Sequence, residues 1–116
     1  MTPVVDGDLR RFGLGARQPE RGAHAPIRLI YVADVCKLEH TRGFDEPGLH
    51  DPEVQKSYYY FDAGLVAGNV YLFAASRGLA ARLHNCDRAA LSAKLGLNAA
   101  AERPLFAQTV GYPKAR

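Results

Sequence analysis

The chain has 116 residues, the length of one small domain, and such a domain can bury about two-thirds of the surface that its unfolded form exposes. Hydrophobic residues make up 47% of the sequence, which excludes wholesale disorder. The formal net charge is only +3 and the 15 basic residues are scattered without a Lys/Arg run, so the composition disfavours nucleic-acid binding.

The first predicted elements are an irregular segment and a strand. Residues 1–24 are polar and rich in Gly and Arg, which predicts irregular chain with one short helix near Asp8–Phe12. Residues 27–35 form an almost continuously apolar run, and such a run predicts a strand that is covered on both faces. We therefore expect this strand at the centre of a sheet. Residues 37–51 carry charges, Gly and Pro, which predicts a loop with a single helical turn.

A long helix is predicted from Pro52 to Arg77. Asp51 can cap the first free amides, Pro52 suits the first helical position, and Gly78 fits the left-handed position after the last turn. Apolar residues occur on every side of this helix, which predicts burial in a core, at an oligomer interface or in a membrane. A chain of this length has little material to surround such a helix, so the pattern favours a homodimer formed through Pro52–Arg77.

The membrane alternative is disfavoured by polar residues inside the apolar stretch. Residues 58–76 are nearly enough to span a bilayer, but Asp62 and Asn69 lie among them. A central Asp costs roughly 2.5–3.5 kcal/mol of insertion free energy. Gly64 and Gly68 suit close contact between two helices of a soluble dimer, so no membrane partner is expected.

The remaining elements complete the predicted fold. Residues 79–83 predict a short extended connector, and residues 104–110 predict a final strand. Between them, Asp87 can cap a helix over Arg88–Leu95 that Gly96 ends. The order of strand, long helix, short helix and strand predicts an α+β fold, with the whole chain as a single domain.

The cysteines and the first residues indicate the compartment. Two cysteines, Cys36 and Cys86, do not make a disulfide framework, which predicts free thiols in a reducing environment. The first six residues lack both a basic region and an apolar region, so they do not resemble a signal peptide. We therefore expect a cytoplasmic protein.

Three segments together carry a resemblance to a known family. They are DAGLVAGNVYLFAASRGLA (residues 62–80), DRAALSAKLGL (residues 87–97) and QTVGYPK (residues 108–114). They resemble, in order, the central helix, the following helix and the closing segment of nitroreductase-like flavoproteins. The likeness extends from about Ala25 to Lys114 and is closest to the branch that includes the azoline dehydrogenases, which form peptide thiazoles and oxazoles.

The resemblance implies an activity and a cofactor. It implies a nitroreductase-like α+β fold with a mixed or antiparallel sheet, FMN as cofactor, and a homodimer. It also implies hydride transfer from NAD(P)H through the flavin to an electrophilic small-molecule acceptor. In this mechanism the cofactor carries the chemistry and the protein supplies orientation and electrostatics.

The sequence departs from the family at four places. Family members open with an Arg-Ser-Arg-like segment that binds the FMN phosphate, and they carry a further polar side chain from mid-chain that contacts the flavin ring. Neither is present in this chain, which begins just upstream of the family's central strand. Gly68 stands where a Gln is common beside Asn69, and the Lys-Tyr pair of azoline-oxidising enzymes does not occur. We therefore expect the chain to correspond to the C-terminal half of such an enzyme. The alternative is a truncated, non-catalytic dimeric fragment without a complete flavin site.

The resemblance also points to cofactor-binding residues. The loop around His84 and Asn85 corresponds to the place where the family offers a backbone amide to the flavin N5. Lys114 and Arg116 match the position of basic residues that approach the FMN phosphate, and cationic donors suit a phosphate. The alternatives are a helix-capping loop without a ligand and an ordinary frayed basic terminus. No catalytic side chain is assigned.

A zinc site is the remaining chemical possibility. Cys36 and His40 are four residues apart, His84 and Cys86 are two apart, and a Cys₂His₂ site could combine them. The first pair lacks the usual spacing unless it is helical, so we expect no metal. No Ser-His-Asp order, phosphate-binding Gly loop or pair of carboxylates supports a hydrolase or a kinase.

Overall fold

The computed structural model describes residues 2, 5–15, 24–43 and 48–115. The elements in chain order are a 3₁₀-helix (Arg10–Gly13), β1 (Ile27–Asp34), α1 (Val35–Glu39), α2 (Pro52–Ser76), β2 (Ala80–His84), α3 (Arg88–Leu95) and β3 (Glu102–Gly111). The three strands form one antiparallel sheet in the order β1-β3-β2. This arrangement confirms the predicted α+β class.

The central strand is β3, so the prediction that residues 27–35 form a central strand is wrong. β1 pairs with β3 from Ile27 opposite Val110 to Asp34 opposite Glu102, and β2 pairs with the other side of β3. In the part of the chain that the structure describes, β1 therefore lies at a sheet edge. Helices cover both faces of the sheet, and an edge strand in such a sheet is as continuously apolar as a central one.

A β-bulge interrupts the pairing of β1 with β3. Tyr31 lies opposite Phe106 and Val32 lies opposite Pro104, which leaves Leu105 without a partner residue in β1. Pro104 has no N–H to donate to the ladder, and proline in a strand is largely confined to edges and bulges. The extra residue turns the Leu105 side chain into the cluster formed by α2, where it is buried.

The helices lie on opposite faces of the sheet. One core cluster contains Leu105 of β3 and residues of α1 and α2, with the buried members Val35, Tyr59, Ala63 and Leu105. The other contains Ala107 of β3, the start of α3 and the 3₁₀-helix, with the members Cys86, Leu91, Ala107, Phe12, Ile30 and Leu95. The order of layers is therefore helix, sheet, helix.

Gln108 is the polar connection between β3 and α2. Its side chain is 0% exposed. Its Oε1 accepts a hydrogen bond of 2.5 Å from the Tyr31 hydroxyl, and its Nε2 donates one of 3.2 Å to the carbonyl oxygen of Ala67. Burial raises the pKa of Tyr31, so this hydroxyl stays protonated and remains a donor. A buried amide is tolerated here because both its ends are hydrogen-bonded.

The side of α2 that faces the sheet consists mainly of small residues. Ala63, Ala67 and Ala74 are buried there, with Gln55 and Tyr59 nearer the start of the helix. Small inward side chains let the helix backbone come close enough for Ala67 to accept the bond from Gln108.

The predicted burial of α2 on all sides is not confirmed. Leu65 is 58% exposed and Leu72 is 72% exposed, and the further exposed apolar residues of this helix are Phe61, Val66, Tyr71 and Phe73. The physical reason is that a three-stranded sheet covers one stripe of a helix, the short α1 adds little more surface, and α3 lies on the opposite face of the sheet. Among the described residues, no helix is both long enough and apolar enough to cross a membrane.

The predicted ends of α2 and α3 agree with the structure to within a residue. The Asp51 carboxylate accepts hydrogen bonds from the backbone N–H groups of Glu53 and Val54, and Gly78 follows the helix with a φ of 66°. The Asp87 carboxylate accepts from the N–H of Ala90. The predicted extended connector at residues 79–83 is the strand β2.

We expect Gln108→Leu to lower the free energy of unfolding by about 1–2 kcal/mol, because it leaves the Tyr31 hydroxyl without its partner and removes the second hydrogen bond of the Ala67 carbonyl, which keeps its bond within the helix. Urea unfolding followed by circular dichroism measures this change. The double variant Tyr31→Phe/Gln108→Leu should recover part of the loss, since it removes the hydroxyl that the single variant leaves without a partner. A Gln108→Leu protein as stable as the wild type would contradict the role given to Gln108.

Candidate functional site

The end of β2 is held by a row of polar side chains that crosses the sheet. Thr109 of β3 lies between Arg28 of β1 and His84 of β2. Its Oγ1 accepts a hydrogen bond of 3.1 Å from Arg28 Nε and lies 2.7 Å from His84 Nε2. Arg28 also donates through Nη1 to the carbonyl oxygen of Arg10, which ties the N-terminal segment to the row. All three strands therefore contribute to the position of His84.

The hydrogen-bond partners distinguish between the two neutral tautomers of the His84 ring. The Nδ1 atom lies 2.8 Å from the carbonyl oxygen of Asn85, which can only accept, so Nδ1 carries a proton. The Thr109 hydroxyl accepts from Arg28 and can donate its own proton to Nε2. A neutral imidazole protonated on Nδ1 satisfies all these bonds. The ring is fixed through both nitrogens, and it restrains the backbone of the loop that starts at Asn85.

Arg28 is partly withdrawn from water by this arrangement. Burial, followed by the nearby charge of Arg10, lowers the pKa of the Arg28 guanidinium from its usual value. An arginine stays charged at neutral pH even so, and it remains an obligatory donor to Thr109. The direction of the Arg28–Thr109 bond is therefore fixed.

The two sides of the His84–Asn85 loop differ in exposure. Asn85 is exposed, whereas Cys86, the next residue, is buried against α3. Burial raises the pKa of the Cys86 thiol, and the charge of Arg88 offsets this only in part. The thiol stays protonated at neutral pH and is a poor nucleophile. The loop thus offers backbone and an exposed amide side chain to a ligand, and no reactive sulfur.

The basic residues chosen from the sequence lie elsewhere. Lys114 is exposed in the segment that follows β3, and Arg116 is outside the described residues. In the register of β2 with β3, His84 is opposite Ala107 and Ala80 is opposite Gly111. Four residues of strand at about 3.3 Å each separate these two ends by about 13 Å, and Lys114 is three residues further along the chain. Lys114 therefore follows β3 at the end of the pairing that is opposite to the His84–Asn85 loop.

The four residues of the possible zinc site are not gathered into one cluster. Cys36 Sγ lies 3.7 Å from His40 Nδ1 at the end of α1, and His84 is engaged with Thr109 and Asn85. Within residues 2, 5–15, 24–43 and 48–115, no group of three or more His, Cys, Asp or Glu side chains could hold a metal ion.

Arg28 and Thr109 are site residues that the sequence analysis missed. The available signal was a charged residue second in an otherwise apolar strand, Ile27-Arg28-Leu29. Such a residue lies on the sheet face and needs polar partners from the neighbouring strand. Without knowing that β1 pairs with β3, the partner Thr109 could not be identified.

Three cavities occur elsewhere on the described surface, with volumes of about 300, 250 and 280 Å³. One lies between α2, α3 and β3, one between the 3₁₀-helix and α3, and one between β1 and α2. None of these three is lined by His84, Asn85 or Lys114.

Comparison with known proteins supports the fold. No family model and no curated protein matches the chain. A crystal structure of a protein from Ralstonia eutropha JMP134, described as a proposed nitroreductase, is similar to it with a TM-score of 0.62 and 27% sequence identity. The similarity covers 77% of this chain and 38% of the Ralstonia protein. The chain thus has a nitroreductase-like fold over much less than the full length of that neighbour.

We expect Thr109→Val to release the His84 ring, because it leaves Arg28 Nε and His84 Nε2 without their shared partner. The unfolding free energy should fall by about 1–2 kcal/mol. The imidazole ¹⁵N signals of His84 should move from the pattern of a fixed Nδ1–H ring towards that of a ring exchanging between tautomers. Thr109→Ser keeps the hydroxyl and serves as the control. Unchanged imidazole signals in Thr109→Val would show that the row does not fix the ring.

Proposed function

We propose that this chain acts as part of an FMN-dependent oxidoreductase of the nitroreductase type. In this proposal hydride passes from NAD(P)H through the flavin to an electrophilic small-molecule acceptor. The observation that carries the proposal is the nitroreductase-like fold shared with the Ralstonia protein. FMN supplies the hydride chemistry when it is bound, and the protein supplies binding, orientation and exclusion of water.

The His84–Asn85 loop is the proposed contact with the flavin ring. The exposed position of Asn85 and the fixed ring of His84 support this assignment. A backbone N–H at a restrained position can donate to the ring without a large loss of conformational entropy. The row formed by Arg28, Thr109 and His84 keeps that backbone in place, so these three side chains act as positioning residues.

The two groups of proposed FMN contacts lie towards opposite ends of the β2–β3 pairing. The His84–Asn85 loop follows β2 at one end, and Lys114, a proposed phosphate contact together with Arg116, follows β3 at the other. The sequence has no Arg-Ser-Arg-like segment to complete the phosphate contacts. We propose that a second copy completes the site, and no chemical step is assigned to residues of a single copy.

The exposed stripe of α2 is the proposed surface for the second copy. Phe61, Leu65 and Leu72 are exposed along one side of the helix, at spacings that place them in line. Gly64 and Gly68 lie on the same side, and a Cβ atom added at either would meet no atom within 4 Å. Large exposed apolar surfaces mark interaction sites, and glycines permit close approach of a partner helix. The stripe therefore suits a homodimer through Pro52–Arg77.

A second candidate function is that of a non-catalytic dimeric fragment. The lack of an Arg-Ser-Arg-like phosphate-binding segment favours it, together with the 38% of the Ralstonia protein that the similarity covers. In this alternative α2 still dimerises, but FMN is not retained. The two proposals share the dimer and differ in flavin binding, so one measurement separates them.

That measurement is the visible absorption spectrum after incubation with FMN and desalting. The oxidoreductase proposal predicts a retained, protein-shifted flavin spectrum, followed by oxidation of NAD(P)H with a nitroaromatic acceptor. Lys114→Gln should weaken FMN binding by about fivefold or more while leaving riboflavin binding unchanged, because riboflavin lacks the phosphate. Lys94→Gln, on α3, is the charge-matched control. A colourless protein would support the second candidate function, the non-catalytic dimeric fragment.

Leu65→Asp should convert the dimer to a folded monomer, because it places a charge in the α2 stripe, and Leu65 packs little within one copy. Sedimentation velocity measures the oligomeric state, and circular dichroism checks folding. Ala93→Asp introduces the same charge on the exposed side of α3 and should leave the dimer intact. A wild-type chain that is monomeric at high micromolar concentration would refute the proposed interface.

A further inference from the structure

A second concave site lies on the side of α2 near its start. The cavity of about 300 Å³ is formed where the beginning of α2, the first turns of α3 and the beginning of β3 meet. Its polar lining consists of Arg88, Arg103, Glu102, Ser92, Tyr59 and Tyr60. None of these residues belongs to the His84–Asn85 loop or to the segment of Lys114, so the cavity is separate from the proposed flavin contacts.

Most N–H groups of the two arginines in this cavity, Arg88 and Arg103, form no hydrogen bond with other described residues. Arg88 uses one nitrogen, Nη2, to donate to the carbonyl oxygen of Leu105 at 2.7 Å. Arg103 makes a single long contact of 3.5 Å with the Tyr59 hydroxyl. Within the described part of the chain neither guanidinium forms an ion pair with a carboxylate. Each guanidinium carries five N–H donors, so most of them remain for a ligand.

The unpaired edge of β3 accounts for the position of Arg88. Leu105 has no partner in β1, and β2 pairs only with residues 107–111 of β3, so the Leu105 carbonyl oxygen is available to a side chain. Arg88 is the first residue of α3, and its bond to this oxygen holds the guanidinium at the cavity wall. One arginine of the pair is thus anchored before any ligand binds, which reduces the entropy lost on binding.

The carboxylate in the cavity lining offsets only part of the positive charge. Glu102 forms no ion pair with either arginine, and its Oε2 accepts a hydrogen bond of 2.9 Å from the backbone N–H of Asn98. Two arginines and one glutamate leave the lining with a net positive charge, which attracts an anion. Guanidinium groups match the planar, bidentate geometry of carboxylate and phosphate oxygens.

We propose that this cavity binds a small organic anion through its phosphate or carboxylate group. Arg88 and Arg103 donate to the anionic oxygens, the Ser92 hydroxyl provides a further donor, and the half-buried Tyr60 ring offers an apolar wall to the rest of the molecule. The proposal does not depend on flavin binding, because it uses a different surface and different residues.

Titration of ¹⁵N-labelled protein with inorganic phosphate or with benzoate, at constant ionic strength, tests the proposal. Saturable shifts should be concentrated at the amides and arginine side chains that line the cavity. Tighter binding of phosphate would identify a phosphate-bearing ligand, and tighter binding of benzoate an aromatic carboxylate. Either result supports the anion site. Absence of saturable shifts with both anions would overturn it.

Substitutions distinguish a specific anion-binding site from general electrostatic attraction to the positively charged surface. Arg103→Gln should weaken binding of the preferred anion by about fivefold or more, since Arg103 makes only one long contact within the chain. Arg88→Lys keeps the charge but loses the bidentate geometry, and should also weaken binding. Arg82→Gln, on the exposed side of β2, removes the same charge outside the cavity and should have no effect. Equal losses in Arg103→Gln and Arg82→Gln would refute the site.

Discussion

The hydrogen bond from Gln108 to the backbone of α2 is the constraint on which the arrangement of this helix depends. A buried amide that reaches a helix carbonyl requires the helix axis to lie close to the sheet. The inward positions Ala63, Ala67 and Ala74 meet that requirement because they are small. The large apolar residues of the helix consequently lie on its other side, where the chain has nothing to cover them. The exposed stripe is therefore a result of how the core is packed.

The β-bulge at Leu105 has a similar influence on the other half of the sheet. It turns an apolar side chain of β3 towards Tyr59 and Ala63, and the carbonyl oxygen of the same residue, which β2 does not reach, accepts from Arg88. A single extra residue thus links the core under α2 to the arginine pair beside α3. Pro104, which cannot donate to a strand ladder, makes an irregularity at this place acceptable.

Local signals in the sequence predicted local structure well. Asp51, Gly78, Asp87 and Gly96 define the helix ends, because capping and left-handed conformations depend on residues only a few positions apart. The central strand could not be predicted from the sequence. A continuously apolar strand indicates that both faces of the sheet are covered, but it does not show which strands pair with it on either side. The row at Thr109 could not be predicted for the same reason, because it joins residues 81 and 25 positions apart in the chain. The assignments of His84, Asn85 and Lys114 came from a family resemblance and remain predictions.

The sheet order has a consequence for the time at which the molecule can fold. Both strand pairs include β3, so neither β1 nor β2 has its partner in this sheet until Glu102–Gly111 has been synthesised. Helix α2, with its large apolar residues, leaves the ribosome well before that strand. Pairings of this sequence separation are slow to form, and the apolar surface stays open to wrong partners in the interval. Yield in the cell should therefore depend on chaperone capacity during translation more strongly than the modest size of the chain suggests.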